Sequence, residues 1–163
     1  MPKNNAILIV DDDPEILGYY WKIFASGDAA EFDILGGAPT NDQAELVCRQ
    51  LVCHRYTNAV KFLDAFEKMV DADLRHPVCI IDMRMPVLNG FETAQRVRAL
   101  DPDIHIIICT AHTDMDPAEI RANLSGSVFF VRKPFVAVEL YMMVHSLVDG
   151  WNARQRRLRS AAA

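Results

Sequence analysis

A chain of 163 residues with 51% hydrophobic residues, 24% charged residues and a net charge of −5 fits one globular domain around a single core. A core of that size needs no disulfide or structural metal, and the composition excludes a disordered tail. The acid excess argues against direct binding of nucleic acid, and no apolar run reaches the 18 residues of a membrane span.

Taken in chain order, the first element is a short apolar run, Ala6–Val10, rich in Ile and Val and too short for a helix. It ends in three carboxylates, Asp11, Asp12 and Asp13, which also rules out a signal peptide. Pro14 follows, a residue favoured at the first helical turn, so Asp12 or Asp13 can cap a helix over 14–25. Residues 26–49 are irregular, with Gly27, Gly36, Gly37 and Pro39 among polar and acidic neighbours. That is long for a connection. Within it, Thr40 to Gln43 can open a short helix reaching Cys48, although Glu45–Cys53 reads equally as strand. A strand is expected over 51–56, although His54 and Arg55 break its pattern. A helix over 59–70 and a buried strand over 78–81 come next, followed by Gly90–Leu100. In that helix Phe91, Ala94, Val97 and Leu100 form an apolar stripe, with Glu92, Arg96 and Arg98 outside it. A strand over 104–109, a helix over 117–124, a strand over 128–131 and a helix over 135–148 complete the pattern.

Alternating strands and helices imply an α/β fold with a doubly wound parallel sheet, its strands apolar on both faces and covered by helices. The last helix reads beyond its core. Leu140, Val144, Leu147, Trp151 and Leu158 recur at helical steps past Gly150 into an arginine-rich segment. Two readings stay open for residues 149–163. The segment is either a solvated end of the domain or a helix leading into a partner subunit or output module. Cys48, Cys53, Cys79 and Cys109 have no metal-ligand or redox spacing and are read as reduced thiols of a cytoplasmic protein.

In a parallel sheet the residues that close the strands converge on one edge, where open α/β proteins bind their ligands. Asp11 and Asp12 end the first strand, Asp82 another, Thr110 a third and Lys133 a fourth. Crowded carboxylates call for a hard divalent cation such as Mg²⁺ or Mn²⁺. A carboxylate nucleophile with a metal, a hydroxyl and an ammonium can make and hold an acyl phosphate. Each residue taken alone is more simply a cap or a solvated side chain. Four such types at four separate strand ends point to a site.

These motifs resemble the receiver domain of two-component response regulators. The run Ile7-Leu8-Ile9-Val10-Asp11-Asp12-Asp13-Pro14 is similar to the family's acidic motif, and Ile81-Asp82-Met83-Arg84-Met85-Pro86 with Asn89-Gly90 to its phosphoacceptor motif. Cys109-Thr110-Ala111 matches the switch hydroxyl and Val131-Arg132-Lys133-Pro134-Phe135 the lysine motif. Thr110 lies 28 residues after Asp82, and Lys133 lies 23 after Thr110.

The resemblance implies a five-stranded, flavodoxin-like receiver over 1–148 with an insertion at about 26–49, and an extension over 149–163. It implies Asp82 as phosphoacceptor, with Asp11, Asp12, Asp82 and the backbone carbonyl of Arg84 as Mg²⁺ ligands. Thr110 and Lys133 would bind the phosphoryl group, Phe130 would be the aromatic switch, and the Lys133–Pro134 bond would be cis. Arg84 is expected to shield the acyl phosphate from water, and His112 to be an ordinary loop residue. Implied partners are a histidine kinase or phosphotransfer protein, and an output module such as a histidine kinase or a cyclic-di-GMP enzyme, with dimerisation through the last helix a further expectation. Neither nucleic acid nor membrane is an expected partner. Such a protein is a switch and not an enzyme in the ordinary sense. A phosphorylation-independent interaction module would lack Asp82, Thr110 or Lys133. An aspartyl phosphatase would carry a hydroxyl or small apolar residue where Glu15 stands.

Overall fold

The computed structural model describes residues 3–26, 49–111 and 117–162. Five parallel strands, β1 (Ala6–Val10), β2 (Val52–Tyr56), β3 (Val78–Asp82), β4 (His105–Thr110) and β5 (Val128–Arg132), form one sheet in the order β2-β1-β3-β4-β5. Among the described residues five helices cover them: α1 (Pro14–Phe24), α2 (Ala59–Asp71), α3 (Gly90–Leu100), α4 (Pro117–Asn123) and α5 (Ala137–Ala162). The doubly wound α/β architecture expected from the alternation is therefore the one observed. The expected helix over 40–48, Cys48 and His112 lie outside the described residues.

Strand side chains alternate between two cores. Ile7, Ile9, Ile80 and Ile107 face α1 and α5, where they meet Leu17, Tyr20, Phe24, Tyr141 and Val144. Leu8, Val10, Ile81, Ile106 and Ile108 face α2, α3 and α4, against Phe62, Phe66, Val97 and Ile120. Each fully buried aliphatic side chain is worth about 1.5–3 kcal/mol relative to exposure. Burial on both faces explains why β1, β3 and β4 read as unbroken apolar runs.

Both-face burial fails at the sheet margins. Among the described residues β2 pairs only with β1, Val52 is 58% exposed, and His54 and Arg55 face solvent. β5, at the other margin, is only partly buried. Polar residues in these strands are edge positions, which need only one apolar face.

Helix starts follow their caps. Asp13 accepts from the Glu15 amide at 2.8 Å, so of the two candidate aspartates it is Asp13 that caps α1. Asn58 caps α2 through the Lys61 amide, and Asn89 forms a reciprocal capping box with Glu92 at the start of α3. Two expectations need correction. Arg98, read as lying outside the apolar stripe of α3, is 7% exposed; its guanidinium donates to the carbonyls of Pro102, Ile104 and Ser127. A cation with a long apolar stem can lie along a core face and spend its charge on backbone oxygens. The last helix begins at Ala137 instead of 135; its run to Ala162 follows the extension read past Gly150. Trp151 and Asn152 are each only 6% exposed, and Asn152 exchanges hydrogen bonds with the backbone of Asn4. The packed body therefore includes at least one helical turn beyond Val148.

The ends of the long segment after α1 are anchored together. The Leu51 amide donates to the Phe24 carbonyl at 2.7 Å, and the Gln50 side chain donates to the Ser26 carbonyl. Arg49 is fixed to α5 by a bidentate pair with Asp149 and by Tyr141, whose hydroxyl accepts from the Arg49 amide and donates to its carbonyl. No helix among the described residues is long and apolar enough to cross a membrane.

Candidate functional site

Register alone assembles the site. Val10 lies opposite Ile81, so the next residues, Asp11 and Asp82, emerge side by side at the C-terminal edge. Strand order reverses between β1 and β3, the position at which doubly wound sheets open a crevice. On the other side Asp82 lies opposite Cys109, and Thr110 opposite Arg132, which puts Lys133 just beyond Thr110. The Lys133 amide donates to the Thr110 carbonyl at 2.8 Å, and the Met83 amide to the Cys109 carbonyl at 2.9 Å. The Lys133–Pro134 bond is cis, as expected.

The centre is a three-membered charge cluster. Lys133 Nζ donates to Asp11 Oδ2 at 2.8 Å and to Asp82 Oδ1 at 2.7 Å. Asp11 is 2% and Asp82 8% exposed, so these are buried charges. The second oxygen of each carboxylate is held by backbone: Asp11 Oδ1 accepts from the Asp13 amide at 3.0 Å, and Asp82 Oδ2 from the Arg84 amide at 2.7 Å. Burial pushes the Asp11 carboxyl up from its usual value, and the bonds from Lys133 and the Asp13 amide offset only part of that. Burial pulls the Lys133 ammonium down, but its bonds to Asp11 and Asp82 outweigh this and leave it raised. The lysine is firmly charged, while the charge on Asp11 is costly.

The remaining expected residues lie around this cluster. Thr110 closes β4 and is half-buried; Asp12 and the Arg84 side chain are exposed at the rim. Phe130 is half-buried against the α2–α4 core, with the Arg121 guanidinium 5.2 Å from its ring centroid. Among the described residues no three acidic, His or Cys side chains are close enough to share an ion. The arrangement still fits a hard cation, because Mg²⁺ is commonly held by one or two carboxylates plus waters. Asp11 and Asp82 supply two buried carboxylates, each with acceptor capacity left.

Gly90 belongs to the site in a way that its place in the motif does not reveal. A Cβ there would collide with the Asp82 carbonyl and come within 2.7 Å of Met83 Cα. The first turn of α3 thus presses on the backbone that carries Asp82. Among the thiols, Cys109 is fully buried and burial pushes it up to about 12, so it is a core residue and not a nucleophile at neutral pH. Cys53, half-buried in β2, is likewise pushed up to about 12.

Residues 41–145 match the family model of the response regulator receiver domain. The heme response regulator HssR of Staphylococcus saprophyticus is 29% identical over 145 residues, covering 89% of this chain and 52% of that protein. The transcriptional regulatory protein FixJ of Bradyrhizobium diazoefficiens is 33% identical over 93 residues, covering 57% of this chain and 42% of that one. The chain spans about half or less of the length of these relatives. A CheY-like receiver domain protein from Methanospirillum hungatei superposes with a TM-score of 0.65 at 18% identity, covering 92% of this chain and 98% of its own.

Proposed function

Because this chain belongs to the response regulator receiver domain family, we propose that it is a phosphorylation-controlled switch whose phosphoacceptor is Asp82. The carrying observation is the Lys133 ammonium bridging the buried carboxylates of Asp11 and Asp82 at the sheet's C-terminal edge. Receiver domains are switches and not classical enzymes; the chemistry proposed is their own phosphorylation.

In the proposed reaction an Asp82 oxygen attacks the phosphorus of a phosphohistidine on a histidine kinase or phosphotransfer protein. The new P–O bond forms as the P–N bond breaks, and the released imidazole nitrogen takes a proton from solvent. Mg²⁺, held by Asp11 and Asp82 with Asp12 and the Arg84 carbonyl as further ligands, would neutralise charge on the phosphoryl oxygens. Lys133 is already charged and positioned for one of those oxygens, and Thr110 supplies the neighbouring hydroxyl. Phosphorylation adds about −1.5 to −2 charges, so Lys133 and Thr110 are drawn toward the new group. Phe130, the switch aromatic, then moves inward, favouring one of two existing arrangements of β4, β5 and their helices.

The proposed setting is the cytoplasm, and the proposed recipient is an output module or partner reached through α5, or a second copy docked along it. The relatives matched include a transcriptional regulatory protein and a heme response regulator. Beryllofluoride with Mg²⁺, followed by amide NMR, tests the switch. Shifts at Thr110, Phe130 and Lys133 that vanish in Asp82→Ala are expected; equal shifts in that variant would overturn the assignment. Arg84→Asn is expected to shorten the lifetime of the acyl phosphate, followed by phosphate release, because the exposed arginine would no longer cover it.

A further inference from the structure

Arg121 takes no part in the phosphoryl chemistry proposed above, yet it touches the residue that responds to it. Ile120 and Leu124 are buried in the core shared by α2, α3 and α4, which fixes α4 against the sheet and carries Arg121 alongside β5. Arg121 itself is exposed, and its guanidinium carbon stands 5.2 Å from the centroid of the Phe130 ring. Among the described residues no carboxylate forms an ion pair with it. Phe130 is half-buried and packs against the same core. It lies opposite Ile108, and strand alternation puts Thr110, two residues further on, on the same face of the sheet. The ring, the hydroxyl proposed to bind the phosphoryl group and the cation therefore share one face.

The quadrupole of an aromatic ring attracts a cation over its face, and the attraction is lost when the ring turns away. Phe130 carries no hydroxyl that could hydrogen-bond at the surface, so the ring face is the group by which it can be held there. We propose that Arg121 is a positioning residue for the switch: it holds Phe130 in the resting, outward arrangement, and inward movement must break this contact. The inference rests on the reading of Asp82 as phosphoacceptor and deepens it. An exposed contact of this kind is worth about two- to fivefold in an equilibrium. A ligand that selects the inward arrangement binds more weakly in proportion to how rarely that arrangement is populated. Arg121 thereby raises the threshold at which the switch responds. Arg132, exposed and opposite Thr110 in the register, carries the same charge near the same edge without a place over the ring, and so separates contact from charge.

The test titrates the 163-residue protein with beryllofluoride at fixed excess Mg²⁺ and about 0.15 M salt, where long-range charge effects are screened. Half-saturation is read from the Thr110 and Lys133 amides by NMR. Arg121→Gln is expected to reach it at about two- to fivefold lower concentration than wild type, whereas Arg132→Gln is expected not to lower it. In a Phe130→Leu background, Arg121→Gln is expected to change nothing, because the ring it acts on is gone. Three results would overturn the proposal: no lowering in Arg121→Gln, an equal lowering in Arg132→Gln, or a lowering that persists in full without the Phe130 ring. A wild type that gives no response overturns the Asp82 reading and this inference with it. A wild type that responds, beside an Arg121→Gln variant that does not differ from it, overturns the inference alone.

Discussion

Gly90 has room for no side chain, since a Cβ would run into backbone at Asp82 and Met83. Backbone cannot step aside as a flexible side chain can. Gly90→Ala is therefore expected to destabilise the protein by about 2 kcal/mol or more, measured by urea unfolding, and to slow phosphoryl uptake because Asp82 moves with its carbonyl. His145 makes a different case. It is 4% exposed, neither ring nitrogen has a hydrogen-bond partner among the described residues, and its ring lies 4.1 Å from that of Tyr141. Burial, helped by the Arg49 charge, lowers its pKa from 6.5 to about 4. The unfolded chain then binds more protons between those values, so stability is complete above pH 6.5 and falls as the pH drops toward 4. The loss is at most about 3 kcal/mol. His145→Leu is expected to flatten that part of the pH–stability profile, read as the difference from wild type in denaturant midpoints. At this scale Asp11, Asp82, Thr110 and Lys133 were legible because each ends a strand, and register carries strand ends to one edge. Arg98 was not legible, since a stripe defined by apolar side chains has no place for a guanidinium whose partners are carbonyls.

Among the elements, the inner strands were the easiest to read. Helices cover both faces of β1, β3 and β4, so every position is under the same apolar demand, and a short Val- and Ile-rich run has one interpretation. β2 was ambiguous for the opposite reason: half of an edge strand answers to solvent. The link between its leading residue and α5 left no sequence signal at all, because Arg49 and Asp149 are a hundred residues apart. That link is only partly buried, with side-chain exposures of 34% and 41%. A double-mutant cycle of Arg49→Ala and Asp149→Ala is accordingly expected to give a coupling of about 0.5–1 kcal/mol, reduced by salt. A coupling indistinguishable from zero at low salt would mean that Tyr141 alone links Arg49 to α5.

For the molecule as a whole, the boundary of the packed body is decided by Trp151 and Asn152. A chain ending at Val148 loses a buried indole and the two hydrogen bonds that tie Asn152 to Asn4. It is expected to melt well below the 163-residue protein, and Trp151→Ala in the longer chain is expected to cost about 3 kcal/mol. Equal melting temperatures for the two lengths would show that the last turns of α5 contribute nothing to the body. The fold class was legible from alternation alone, but where the body stops was not, because the helical pattern continues through both packed and solvated turns. The joined ends of the segment after α1 bear on engineering. Phe24 and Leu51 are fastened to each other by a backbone bond, so the end of α1 and the start of β2 share one anchor on the body. Because Gln50 is bonded to the Ser26 carbonyl and Arg49 to Asp149, a fluorescent probe attached at Ser26 is expected to sense any displacement of α5 from the sheet.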